Sequence, residues 1–216
     1  MGDSKTDRIA RWIERGLLAV AASCSLWVGA TSLSAIVYQV AHRASLERGG
    51  QVLPRPEADL VANVVKTTLE AGAPIGRLEI PSIGLTAIVA EGDEEKTLKR
   101  AVGHLPDTPL PWQEGNSALA GHRDSFFRPL RHIQVGDDIH LTTERGTLRY
   151  RVTRHTVVDP AELWVLNPSP TAALTLITCY PFDYVGPAPR RFIVHAERMS
   201  NASDSAPTIA TEGGTP

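Results

Sequence analysis

From Gly16 to Ala41 the chain runs 26 residues without a single Lys, Arg, Asp or Glu. As a helix rising about 1.5 Å per residue, such a run reaches roughly 39 Å, more than the ~30 Å hydrocarbon core of a bilayer. Its Ser and Thr hydroxyls can bond to the helix's own carbonyls, so they do not bar it from lipid. A cleaved signal peptide is the competing reading, but its apolar region normally covers only about 7–15 residues before a small-residue site. Val28-Gly29-Ala30 has that character, yet the apolar stretch continues to Ala41, which favours an uncleaved anchor. Lys5, Arg8, Arg11 and Arg15 precede the run, whereas Arg43, Arg48 and Arg55 follow it more sparsely. The positive-inside rule then puts the N-terminus in the cytoplasm and the bulk of the chain outside, held at the cell membrane by one pass.

Anchoring leaves the rest of the 216 residues to be accounted for. With 42 % hydrophobic and 21 % charged residues, the chain can bury a core and is not a disordered or fibrous polymer. A net charge of −2 gives no basic footprint, so no nucleic-acid partner is expected. The expected order is a cytoplasmic N-terminus at 1–15, the anchor at 16–41 and a stalk at 42–73. A folded domain at 74–199 and a disordered tail at 200–216 complete it. The stalk is polar and broken by Pro54, Pro56 and Pro74, with a short helical pattern at Ala58–Glu70. The tail is Ser, Thr, Ala, Gly and Pro with almost no large apolar residue.

The 74–199 segment reads as all-β. Leu148, Tyr150 and Val152 alternate with Arg149, Arg151 and Thr153, the period-2 pattern of a half-buried strand. Glu144-Arg145-Gly146 separates that strand from Asp138–Thr143 and predicts a hairpin. Arg77–Ile80, Thr86–Val89, Ser117–Ala120, Leu174–Thr178 and Phe192–Ala196 are further strands, while helical patterns are short, at Glu95–Val102 and Phe126–His132. Many short strands joined by Pro- and Gly-bearing turns predict a closed barrel or a sandwich rather than a parallel α/β sheet.

Three residue types in this domain carry chemistry. The two cysteines, Cys24 in the anchor and Cys179 in the domain, are too far apart in function and sequence to pair, so Cys179 is expected to be a free thiol. It ends the β-prone run Leu174–Thr178 and is followed by Tyr180-Pro181, which places it at a strand terminus. A buried small hydrophobe is the bland alternative. A reactive thiol needs a partner, because an ordinary thiol is largely protonated at neutral pH. Of the seven histidines, His122 follows the strand Ser117–Ala120 in Gly121-His122-Arg123-Asp124, at a rim position; a structural imidazole is the alternative there. His42 is juxtamembrane, His132, His140 and His155 sit in surface-like patterns, His104 lies in a loop, and His195 falls on a strand face. Arg190-Arg191 opens the strand Phe192-Ile193-Val194, and a guanidinium can stabilise a developing oxyanion; two solvated arginines are the alternative. A zinc site of His104, His122 and Cys179 has no close ligand pair behind it, and Glu91-Gly92-Asp93-Glu94-Glu95 reads as an exposed acidic loop rather than a calcium site. No cofactor or metal is expected.

Together these residues resemble the sortases, membrane-anchored cysteine transpeptidases of bacterial surfaces. Thr175-Leu176-Ile177-Thr178-Cys179 matches the TLxTC motif, Ala120-Gly121-His122-Arg123-Asp124 is similar to the catalytic-histidine segment, and Arg191-Phe192-Ile193-Val194 is similar to the arginine-led strand. Leu78-Glu79-Ile80-Pro81-Ser82-Ile83-Gly84-Leu85 looks like the opening strand, so the resemblance spans Gly76 to Glu197, and the run after GHRD looks most like class D-type members. The resemblance implies a closed eight-stranded β-barrel with short helices. It implies Cys179 as nucleophile, His122 as acid and base, Arg191 (or its neighbour Arg190) as the oxyanion or carbonyl contact, and Thr178 as oxyanion support. It implies an LPxTG-like sorting signal on surface proteins as substrate and a cell-envelope amine as acceptor, with Asp159–Ser169, carrying Trp164, as the recognition loop. A cysteine protease using water, and a non-enzymatic anchored binding domain, are the rival readings.

Overall fold

The computed structural model describes residues 14–15, 17–25, 36–41 and 69–199. Eight strands close into a barrel: β1 (Pro74–Ile80), β2 (Leu85–Glu91), β3 (Val102–His104), β4 (Asn116–Ala120), β5 (Asp138–Thr143), β6 (Gly146–Val158), β7 (Ala173–Tyr180) and β8 (Arg190–Arg198). Their order around the barrel is β1-β2-β3-β4-β7-β8-β6-β5, with β5 hydrogen-bonded back to β1. Two ladders are parallel, β2–β3 and β4–β7; the others described here are antiparallel. Closure removes the free edges that an open sheet of this size would present.

The period-2 alternation seen in the sequence fills the interior. Leu78, Ile80, Leu119, Leu141, Leu174 and Leu176 point inward and are completely buried, as is Tyr150. Tyr150 keeps its polar end satisfied by donating from Oη to the Pro111 carbonyl at 2.7 Å, and burial pushes its phenol up to about 12. β5 has the expected bounds, and the β5–β6 hairpin turns between Thr143 and Gly146, whose φ of 114° only glycine adopts without strain.

Two helical expectations are shortened. The Glu95–Val102 pattern yields a single turn, Glu95–Leu98, because Val102–His104 is drawn out as β3 between β2 and β4. All three β3 residues are buried, so there is no alternation for a sequence pattern to display. His104, expected in a loop, is therefore interior: its Nδ1 lies 2.8 Å from the Glu91 carboxylate and its Nε2 lies 3.0 Å from the Pro109 carbonyl. The Phe126–His132 pattern yields a 3-10 turn at Arg128–His132.

The anchor expected at Gly16–Ala41 falls partly outside the described residues, which lack Gly16 and 26–35. Among the described residues no helix is long and apolar enough to cross a membrane. Residues 17–25 and 36–41 are helical, with Leu17, Leu18, Val20, Ile36, Val37 and Val40 all exposed. The last turn touches the barrel. Because β3 pairs with β2 only from Val89 onward, Ile88 has β1 on one side and no strand on the other, and Gln39 fills that gap. Its Oε1 accepts from the Ile88 N–H at 2.8 Å and its Nε2 donates to the Arg100 carbonyl at 2.9 Å, while Tyr38 donates to the Gly72 carbonyl. The side-chain amide thus occupies the place of a missing backbone amide. The expected stalk lies outside the described residues except for 69–73. The tail at 200–216 and most of the helical pattern at Ala58–Glu70 lie outside them as well.

Candidate active site

At one end of the barrel the strand register brings three expected residues together. In the parallel β4–β7 ladder Ala120 faces Ile177, and the Gly121 N–H donates to the Ile177 carbonyl at 3.1 Å. Two residues further along each chain come His122 and Cys179. On the other side of β7, Cys179 is the direct cross-strand neighbour of Arg191. Adjacent strands lie about 4.8 Å apart, so imidazole, thiol and guanidinium are carried on three neighbouring strand ends. The same register separates the two arginines. Directly opposed residues share a face, so Arg191 stands on the Cys179 side, whereas Arg190 faces Tyr180 and its Nε lies 3.8 Å from the Asp159 carboxylate.

Each side chain has a definable setting. Cys179 is a half-buried free cysteine, and the His122 side chain is 36 % exposed. Among the described residues the two are not hydrogen-bonded to one another; the His122 Nε2 instead lies 3.9 Å from the carboxylate of Glu95, an acidic neighbour that sequence spacing did not reveal. Arg191 directs Nη1 to the carbonyls of Arg190, at 3.1 Å, and Ala188, at 3.4 Å. Thr178 points inward, is 2 % exposed, and donates from Oγ1 to the Gly121 carbonyl at 2.7 Å. That hydroxyl is committed to the chain, and the residue itself is laddered to Phe192 of β8. Gly121 itself has to be glycine: a Cβ there would stand 2.8 Å from the ring of Phe127, which is fully buried.

The crossover from β6 to β7 lies across the outer face of β7 and β8. Its 3-10 turn, Leu163–Leu166, packs Val165 and Leu166 with Val158, Ile177 and Ile193, midway between the Cys179–Arg191 pair and the opposite end of the strands. At that opposite end a cavity of about 570 Å³ is lined by Asn116, Arg154, Trp164, Ser169 and His195, among others. Thr175 links Asn116 and His195, donating to Asn116 Oδ1 at 2.7 Å with His195 Nδ1 at 3.1 Å. Since the hydroxyl proton goes to Asn116, His195 carries its own proton on Nδ1 and presents a bare Nε2. Burial, and secondarily the Arg154 guanidinium, lower this imidazole to about 4. Among the described residues no group of three His, Cys, Asp or Glu side chains is close enough to hold a metal ion.

The fold and site together are a closed barrel of this strand order with a free cysteine, one residue short of the end of β7, flanked by a histidine beyond β4 and an arginine on β8. The comparisons make it specific. The family model described as the sortase domain matches residues 78–199. Sortase D of Bacillus subtilis (strain 168) is 34 % identical over 143 residues, 66 % of this chain and 72 % of that protein. Among solved structures, a sortase C from Clostridium perfringens SM101 superposes with a TM-score of 0.61 at 28 % identity, covering 74 % of this chain and 98 % of that one. A Clostridium perfringens sortase D5 transpeptidase shares the fold at a TM-score of 0.61 and 24 % identity, over 77 % and 99 % of the two chains. The chain belongs to the sortase family of cysteine transpeptidases.

Proposed function

We propose that this sortase cuts an LPxTG-like sorting signal at Cys179 and passes the acyl group to an amine of the cell envelope. The observation that carries the reading is the register across β4, β7 and β8, which aligns His122, Cys179 and Arg191 at one rim. In the first half-reaction the Cys179 thiolate attacks the scissile carbonyl carbon, and the Arg191 guanidinium donates to the oxygen as it becomes an oxyanion. Protonated His122 gives its proton to the leaving amine, the C–N bond breaks, and a thioacyl intermediate remains. In the second, neutral His122 takes a proton from the incoming amine as it attacks, the C–S bond breaks and the thiolate returns. Arg191 must release its backbone carbonyls to reach the substrate, and His122 must close on the thiol; catalytic hydrogen bonds are often looser before substrate binds. Thr178 supports the oxyanion through its backbone position. The β6–β7 crossover is the recognition loop through its Asp159 end, whose carboxylate lies 3.8 Å from Arg190, while Trp164 stands toward the opposite end of the strands.

The same proposal includes the anchor. Residues 16–41 hold the enzyme at the membrane with the N-terminus cytoplasmic, and Tyr38 and Gln39 are already part of the barrel's support. The substrates are surface proteins ending in a sorting signal. The test is a peptide library incubated with and without hydroxylamine or oligoglycine, followed by mass spectrometry. Cleavage after the signal's Thr with a ligated product is expected from the wild type. Cleavage that yields only hydrolysed acid in the presence of amine would make it a protease, and full cleavage by Cys179→Ala would overturn the site.

A further inference from the structure

The segment after the proposed nucleophile, 181–189, joins β7 to β8 without regular structure. Apart from a turn at Phe182–Asp183 it is irregular, with few backbone partners of its own. Its carbonyls need donors from elsewhere, and one side chain supplies three of them. Arg123 Nη1 donates to the Pro181 carbonyl at 2.9 Å, and Nη2 donates to Tyr184 at 2.7 Å and Gly186 at 2.9 Å. The guanidinium also lies 5.8 Å from the centre of the Tyr184 ring. A second arginine from the same side, Arg131, bonds the Asp183 carboxylate at 3.0 Å and lies over Phe182.

Arg123 is the residue directly after His122, and Pro181 is the second residue after Cys179. On the other flank, Thr178, directly before Cys179, holds the carbonyl of Gly121, directly before His122. The acid–base residue and the nucleophile are therefore bracketed by two cross-links between the same two segments, one before the pair and one after it. The 181–189 segment also carries the Ala188 carbonyl on which Arg191 rests. We propose that Arg123 is a positioning residue for this sortase: its fork fixes the loop after Cys179 against the turn bearing His122, and so sets the separation of thiol and imidazole. The inference rests on the reading of Cys179 and His122 given above. It requires a fork, because three carbonyls spread over two nitrogens match a guanidinium and not the single nitrogen of a lysine.

The full-length enzyme in detergent, assayed with a cleavable sorting-signal peptide, tests this through Arg123→Met and Arg123→Lys. Misplacing a reacting group by about 1 Å can cost about a hundredfold in rate, so kcat is expected to fall at least ~10-fold in Arg123→Met while KM stays within about twofold. Arg123→Lys is expected to fall between Met and wild type. Amide hydrogen exchange should quicken across 181–189 in both variants, with the barrel strands unchanged. Wild-type kcat in either variant, a loss confined to KM, or collapse of the whole barrel in both variants would each overturn the positioning role. Cys179→Ala, run alongside, separates the two failures. If it is inactive while Arg123→Met turns over normally, only the clasp is wrong; if it is active, the site reading is wrong.

Discussion

Single atoms decide several properties of this barrel. Adding one methyl at Gly121 would press into the ring of a fully buried phenylalanine, 2.8 Å away, on the turn that carries His122. Gly121→Ala is expected to destabilise the fold by about 1–3 kcal/mol, as overpacking does, and to lower turnover more than melting temperature suggests, because relief of the clash moves the imidazole. Parallel thermal melts and peptide-cleavage rates check this. At the other end of β7, His195 refuses a proton until about pH 4 in the folded state, held neutral by burial and then by Arg154, while the unfolded chain takes one up near pH ~6.5. The folded-state value is depressed, so its contribution to stability is present above that window and is lost as pH falls through it. After discounting for its partial exposure, the effect is about 1–2 kcal/mol. The fall in melting temperature from pH 7 to about pH 4.5 should be smaller in His195→Gln than in wild type. An equal fall in both would remove His195 from the account.

Among the elements, the shortest strand of the barrel is the three-residue β3, and a side chain continues its ladder to β2. Removing the Gln39 amide leaves the Ile88 N–H and the Arg100 carbonyl to water. Gln39→Ala is expected to cost about 1 kcal/mol and to speed hydrogen exchange at Ile88 specifically, measurable by NMR or mass spectrometry. Alternating strands such as Asp138–Thr143 and Leu148–Thr153 were legible in the sequence, because one face is buried and the other wet. β3 was not, because all three of its residues are buried and one is glycine. Cys179 and His122 were legible as strand-end residues in family-like motifs. Which of Arg190 and Arg191 shares the thiol's face depends on register, which neighbouring sequence does not specify. The Arg123 contacts were equally hidden, since they join residues about 60 positions apart. Long-range pairing of this kind leaves no periodic trace.

At the scale of the whole molecule, a barrel whose candidate site is built on three adjacent strand ends can keep that site rigid while loops around it vary. If the uncharged N-terminal run is the anchor proposed above, its last turn, bonded to β2 through Gln39, sets the barrel close to the membrane instead of on a long tether. Deleting residues 1–35 is expected to move the protein from the membrane pellet to the supernatant on cell fractionation while peptide cleavage persists, since Tyr38 and Gln39 remain. In the proposed reaction a thioacyl bond forms at Cys179 and is resolved by an amine. Mass spectrometry of the acid-quenched protein, intact and after digestion, tests it most directly. With a sorting-signal peptide and no amine, the wild type should gain the mass of the acyl fragment on the peptide containing Cys179, and the adduct should vanish when oligoglycine is added, giving a ligated product. Cleavage without any adduct at Cys179, or an adduct that persists in Cys179→Ala, would contradict it.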